Sequence, residues 1–216
     1  MTAPSPEAGR PLESLPKAHL HLHFTGSARV ATIRDMADKH GLRLPDSLCG
    51  GYPPVLSGGK DERGWFRFQR LYDAARHCVR DEEDMRRIVR EAAVDDGAEG
   101  SRWLELQVDP TSYAPFLGGI TPTLEIVLDE ARSVSSTAER TGAASVAIVV
   151  AASRIRHPLD ARTLARLAAR YAGSGPGTVV GFGLSNDERR GVTEEFAPAF
   201  AIAERAGLAL VPHAGE

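Results

Sequence analysis

The sequence has few cysteines, no long apolar run and little net charge, and each of these shortages excludes a class of protein. Two cysteines in 216 residues are too few for a disulfide framework. No apolar run has the roughly 20 residues that span a membrane, and residues 1–16 lack the apolar core of a secretory signal. A net charge of −3 offers no basic patch for nucleic acid. We therefore expect a cytoplasmic globular protein that binds neither nucleic acid nor membrane.

Histidines at alternate positions are the most informative feature of the first part of the chain. His19, His21 and His23 lie in the segment 17–27, KAHLHLHFTGS, with apolar residues between them. Alternate side chains of a β-strand share a face, so this spacing predicts one face of imidazoles and one apolar face. A His-x-His pair on a strand can hold one Zn²⁺ from one side. The alternative is a polar strand edge. We expect His19, which lies deeper, to be packed or hydrogen-bonded and not a ligand.

A further histidine lies in the segment 208–216, LALVPHAGE, where an apolar run leads to His213, two small residues and Glu216. A zinc site that activates water needs about three protein ligands, an open position and a neighbouring acid or base. His213 is therefore the candidate third ligand, and Glu216 is the candidate proton shuttle.

Strand-like and helix-like segments alternate along the chain, which predicts a parallel sheet with right-handed crossovers. The predicted strands are 18–24, 103–108, 144–151, 179–184 and 208–211. The predicted helices are 29–40, 65–72, 81–99, 121–141, 160–171 and 193–206. We expect Ser27, Asp81 and Thr121 to cap helices, and residues 42–60, rich in Gly and Pro, to form a long loop. A dinucleotide-binding fold is disfavoured, because no Gly-x-Gly-x-x-Gly follows the first strand.

Three segments together resemble the signature segments of the adenosine deaminase family: 17–27, 180–188 (VGFGLSNDE) and 211–216 (VPHAGE). They occur in the family's order and at similar spacing, so the resemblance covers nearly the whole chain. It implies an α/β fold, the (β/α)8 TIM-type barrel, whose chemistry gathers at the carboxyl ends of the strands. Such barrels take about 250 residues or more, so we expect only about the first five β/α units here. We expect 1–14 to be a disordered lead and 15–216 the N-terminal part of one metal-dependent deaminase barrel.

The resemblance also implies an activity, namely zinc-dependent hydrolytic removal of the amino group from an adenosine-type purine nucleoside, with release of ammonia. One Zn²⁺ per full-length subunit is implied, together with a further Asp ligand and an orienting His beyond residue 216. The implied metal ligands are His21, His23 and His213. The implied catalytic acid/base is Glu216, and the implied substrate contacts are His23, Thr25 and Asn186. We expect the chain on its own to be inactive.

Two departures from the family pattern bear on the substrate. Thr25 stands where a carboxylate usually binds the ribose 5′-hydroxyl, and Asn186 replaces the glycine whose backbone amide faces the purine. Thr25 suits a nucleoside with a large apolar or aromatic 5′ group, such as aminodeoxyfutalosine of menaquinone biosynthesis. Alternatively, Thr25 still binds adenosine through a bridging water.

Two other functions remain open from the residues alone. Other metal-dependent barrel hydrolases, such as amidases and lactonases, share His-x-His on the first strand but use a modified Lys on the fourth. The predicted fourth strand, 179–184, contains no Lys. The second alternative is a non-catalytic truncated product or binding module.

Overall fold

The computed structural model describes residues 11–12, 15–49 and 62–215. Within these residues five parallel strands form one sheet in the order β1-β2-β3-β4-β5. The strands are β1 (Lys17–His23), β2 (Ser101–Val108), β3 (Ser145–Ser153), β4 (Val179–Ser185) and β5 (Ala209–Pro212). The helices are α1 (Val30–Lys39), α2 (Asp46–Cys49), α3 (Glu62–His77), α4 (Glu82–Ala98), α5 (Ala114–Leu117), α6 (Ile120–Ser136), α7 (Ala138–Thr141), α8 (Pro158–Arg170) and α9 (Ala197–Arg205).

The sheet has the predicted architecture, a half-barrel with helices on its outer surface. β3 is buried almost from end to end, as a central parallel strand covered on both sides must be. The main core lies between the strands and α4, α6 and α8, whose inner faces carry fully buried residues such as Ile88, Val127 and Leu164. None of the described helices is long and apolar enough to cross a membrane.

The predicted alternation of β1 holds for only part of that strand. The pairing of β1 with β2 shifts register between His19 and Leu22. His19 Nδ1 lies 2.7 Å from a carboxylate oxygen of Asp96 on α4, whereas Leu20 is 59% exposed. The prediction that three histidines share one face is therefore wrong for His19, because the irregular register turns its side chain toward a helix. Its predicted hydrogen-bonded role is confirmed.

Of the three residues predicted to cap helices, one does so in the structure and two do not. Asp81 forms a capping box at the start of α4, as predicted. Ser27 lies before α1 in a 3₁₀ turn, and its hydroxyl donates to the Phe24 carbonyl at 2.8 Å, so it does not cap that helix. Thr121 lies inside α6, which is preceded by Gly119 at φ 133°.

Several predictions concern residues that are only partly described. The loop predicted over 42–60 contains the short helix α2, and 50–60 lies outside the described residues. Of the lead predicted over 1–14, only 11–12 is described.

Candidate metal centre and active site

Three imidazoles meet at the carboxyl ends of the two edge strands. His21 and His23 end β1, and His213 directly follows β5. His21 Nε2 lies 3.1 Å from His23 Nε2 and 3.0 Å from His213 Nε2. The curvature of the sheet thus brings together side chains that are 192 positions apart in the chain.

The three nitrogens fit one metal ion. Nitrogens held about 2.0–2.1 Å from zinc at the tetrahedral angle lie about 3.3 Å from one another, close to the separations seen here. The rings of His23 and His213 lie edge to face with centroids 4.9 Å apart, and ligand atoms of all three histidines lie within 4.8 Å of one another. Three protein nitrogens with an open fourth position are the ligand set of catalytic zinc sites.

The protonation state of His23 suits a ligand. Burial, followed by the neighbouring His213, His21 and Arg76, lowers its pKa to about 4. His23 is therefore neutral near pH 7, and a neutral imidazole is the form that binds metal.

A single cavity joins the three imidazoles to α3. Its lining includes aromatic side chains of α3, among them Trp65, Phe68 and Tyr72. Five arginines also line it: Arg67, Arg70, Arg76, Arg156 and Arg190. The candidate metal centre thus lies at the bottom of a cavity with aromatic and cationic walls, which suits a flat, partly apolar ligand with acceptor groups.

The segment after β5 is fixed by the strand beside it. The His213 amide donates to the Leu184 carbonyl at 2.8 Å, and the buried Arg154 donates to the His213 carbonyl. The Gly215 amide donates to Glu188 at 2.9 Å. These bonds position the chain that leads to residue 216, but Glu216 itself lies outside the described residues.

The model of the family described as "Adenosine deaminase" matches residues 16–216. The chain belongs to the adenosine deaminase family. It is 60% identical over 210 residues to a Streptomyces virginiae protein named "Putative adenosine/adenine deaminase", covering 97% of this chain and 60% of that protein. It is 30% identical to the aminodeoxyfutalosine deaminase of Acidothermus cellulolyticus, covering 95% of this chain and 54% of that protein. The chain therefore spans about 60% of the length of these relatives or less.

Solved structures show the same fold. An Arabidopsis N6-mAMP deaminase is 26% identical and superposes with a TM-score of 0.75, covering 94% of this chain and 60% of that one. An amidohydrolase solved with bound Zn is 22% identical, with a TM-score of 0.78, covering 94% and 53%. The half-barrel described above is thus the fold of adenosine deaminase family members and amidohydrolases.

The turn after β4 explains one departure from the family pattern. Asn186 has φ 82°, a left-handed conformation that excludes most side chains other than Gly, Asn and Asp. Its side-chain oxygen accepts from the Asp187 amide at 2.9 Å. Asn186 therefore keeps a backbone conformation open to glycine, and it lines the cavity.

Thr25, the other departure from the family pattern, is not among the residues that line the cavity. Its side chain is buried, and its hydroxyl lies 2.5 Å from the Tyr113 hydroxyl. Tyr72 packs beside it, with Gly26 between Tyr72 and His23. The guanidinium of Arg76 lies 4.8 Å from the centre of the Tyr72 ring. The surroundings of Thr25 are therefore two phenols and an arginine.

Sequence reasoning missed Gln107 and Arg76, which the structure places in this cavity. Gln107 Nε2 lies 3.2 Å from His213 Nε2. The sequence signal for Gln107 is a polar residue at the otherwise apolar end of β2. In the sheet Gln107 pairs directly with His23. Arg76 lies on α3, where the sequence drew attention to the aromatic residues alone.

Proposed function

We propose that the full-length enzyme containing this chain is a zinc-dependent hydrolase that deaminates a 6-aminopurine nucleoside or a 5′-modified derivative. The convergence of His21, His23 and His213 beside a cavity large enough to hold a purine nucleoside carries the proposal. The family and its deaminase relatives support it. An amidase or lactonase with a lysine on the fourth strand is disfavoured, because β4 has none.

Each residue of the site then has a defined task. When bound, zinc would be held by His21, His23 and His213 and would supply a water with a pKa near ~7. Glu216 donates a proton to the ring nitrogen beside the amine-bearing carbon, which makes that carbon electrophilic toward the attacking water. The carboxylate formed in this way takes a proton from that water and passes it to the amino group, which leaves as ammonia. The cavity walls hold the purine, and the backbone amide at Asn186 faces it.

Two substitutions in the full-length enzyme separate the ligands from the acid/base. Glu216→Gln is expected to keep zinc while losing roughly 10²- to 10⁴-fold in kcat, the usual contribution of general acid–base catalysis. His213→Ala is expected to lose both zinc and activity. Elemental analysis and ammonia release measure the two quantities. His19→Asn is the matched control, because His19 contacts Asp96 and not the other histidines. Loss of zinc from Glu216→Gln would make Glu216 a metal ligand and contradict its role.

The 5′ group of the substrate is the next question, and two candidates follow from the cavity. The aromatic residues of α3 favour the apolar 5′ group suggested by Thr25, as in aminodeoxyfutalosine, and one relative carries that name. Arg76 favours an anionic group, because it lines the cavity with its guanidinium over the Tyr72 ring beside Thr25, and its side chain, which also pairs with Asp73 at 3.1 Å, is only 29% exposed. Guanidinium and hydroxyl donors are the usual partners of phosphate. The Arabidopsis structure is of an N6-mAMP deaminase.

A comparison of three substrates decides between these candidates. If Arg76 binds a 5′-phosphate, adenosine 5′-monophosphate has the highest kcat/KM, and Arg76→Leu lowers it at least tenfold relative to adenosine, about 1.4 kcal/mol. Arg166→Leu on α8 is the control for loss of charge, because Arg166 lies outside the cavity. A preference for aminodeoxyfutalosine that survives Arg76→Leu would favour the apolar group. A preference for adenosine that no substitution changes would contradict both.

A further inference from the structure

The carboxamide of Gln107 lies on the inner surface of the cavity with an incomplete set of hydrogen bonds. Gln107 is 4% exposed and lines the cavity beside the three imidazoles. Its Nε2 lies 3.2 Å from His213 Nε2. Its Oε1 is buried and has no hydrogen-bond partner among the described residues. A buried carbonyl oxygen without a hydrogen-bond partner destabilises the fold, so this atom is suited to accept from a donor on a ligand.

The strand opposite leaves room for that oxygen. Gly183 of β4 faces Gln107, and a Cβ placed on Gly183 would lie 2.8 Å from Oε1. Real Cβ atoms do not approach that closely, so a side chain at 183 would displace the carboxamide. On the other side, the Gln107 carbonyl accepts from the Phe24 amide at 2.9 Å, which fixes the backbone from which the side chain extends.

We propose that Gln107 is a specificity-determining residue whose Oε1 accepts a hydrogen bond from the amino group of the substrate. This rests on the proposed function, since it requires an aminopurine ligand. The carboxamide oxygen of glutamine accepts from the 6-amino group of adenine when the two pair, and only this half of the pairing is proposed here, because Nε2 lies beside His213. Nε2 of this carboxamide lies 3.2 Å from His213 Nε2, so the contact proposed for Oε1 lies next to the histidines, on the side from which the amine is removed.

The same contact distinguishes substrate from product. Deamination replaces an N–H donor by a carbonyl acceptor, so Oε1 loses its partner and faces another acceptor. Gln107 therefore favours binding of the amine-bearing ligand and release of the oxo product.

The experiment measures binding to the full-length enzyme after zinc has been removed by chelation, so that no turnover occurs. Adenosine is compared with purine riboside, which lacks the 6-amino group. Gln107→Leu is expected to weaken adenosine about tenfold, leave purine riboside unchanged and, after reloading, keep the zinc content. Gly183→Ala is expected to have the same effect, because its methyl group displaces Oε1.

Gly181→Ala is the matched control on the same strand. Its Cβ would lie 3.2 Å from the Ala209 carbonyl, as that of Gly183 would from the Val211 carbonyl, but it has no contact with Gln107. Equal weakening of both ligands by Gln107→Leu, or loss of zinc from that variant, would overturn the proposal and make Gln107 a support for His213. If the unsubstituted, zinc-loaded enzyme deaminates no aminopurine, the proposed function itself has failed. If the enzyme is active but Gln107→Leu keeps its preference for adenosine over purine riboside, the role of Gln107 is wrong and the proposed function is unaffected.

Discussion

Among the residues that the structure describes, two groups of side chains have ligand atoms close enough to hold a metal, and their chemistry differs. One is the histidine triad, and the other is His40 with Asp81 and Asp84. In the second group the Lys39 ammonium lies 2.6 Å from Asp81 and 2.9 Å from Asp84. This cation already neutralises the carboxylates that would attract a metal. The second group is therefore an ion-pair cluster that ties α1 to the start of α4.

Asp84 is the residue on which this cluster depends. Its side chain is 3% exposed and accepts from the Arg80 amide, the Lys39 ammonium and His40. Burial is the largest single influence and raises its pKa, but the backbone bond from Arg80 and the bonds from Lys39 and His40 outweigh it, so the pKa is lowered below its usual value of 3.8.

Asp84→Asn is expected to lower the free energy of unfolding by about 2 kcal/mol at pH 7, the scale of hydrogen bonds to a charged group. A carboxyl whose pKa is lower in the folded state stabilises the protein above its unfolded pKa and loses that effect as pH falls through its folded pKa. The difference between Asp84→Asn and the unsubstituted protein should therefore shrink in urea titrations as the pH falls below 3.8 and through the lower folded-state pKa. Asp38→Asn, on the exposed face of α1, is the control. A difference that is the same at pH 7 and pH 3 would contradict this account.

At the scale of elements, the strands were easier to predict than the starts of the helices. The apolar run in 144–151 coincides with β3 from residue 145 on, because a continuous apolar run of this length is what a strand buried on both faces requires. The start of α6 was misplaced, because Thr121 and Gly119 are both acceptable beginnings and the turn at Gly118 and Gly119 decides between them. α8 begins with Pro158 after His157, whose ring accepts from the Leu159 amide and caps the helix.

The irregular register of β1 shows why a regular pattern can mislead. Alternation of His and apolar residues over 19–24 fits an ideal strand, and the sequence contains no Gly or Pro there to indicate an interruption. The interruption comes from pairing with β2. Three steps along β1, from His19 to Leu22, correspond to two steps along β2, from Leu104 to Leu106. Only the partner strand reveals it, and pairing register is not written in the local sequence.

At the scale of the whole molecule, the site depends on contact between the first and last described strands. Parallel order follows from alternating strands and helices, but nothing local shows that β1 and β5 approach each other. Only the barrel fold implied by the family resemblance predicts that these two strands lie near each other. Within the described residues β1 and β5 each pair on one side only, and Leu20 and Leu210 are exposed large apolar side chains on them. A closed barrel would pair both edges.

The last prediction concerns the 216-residue chain on its own. It spans 60% of the Streptomyces virginiae relative, and its site is built on two strands that have open edges within the described residues. Open edges and exposed apolar side chains favour association with other chains, and we expect strands with open edges to hold the three imidazoles less rigidly than a closed barrel does. We expect the purified chain to release no ammonia from adenosine, adenosine 5′-monophosphate or aminodeoxyfutalosine at saturating zinc, whereas the full-length enzyme turns over at least one of them. Deamination by the chain alone, lost again in its His213→Ala variant, would show that five strands suffice to hold the site.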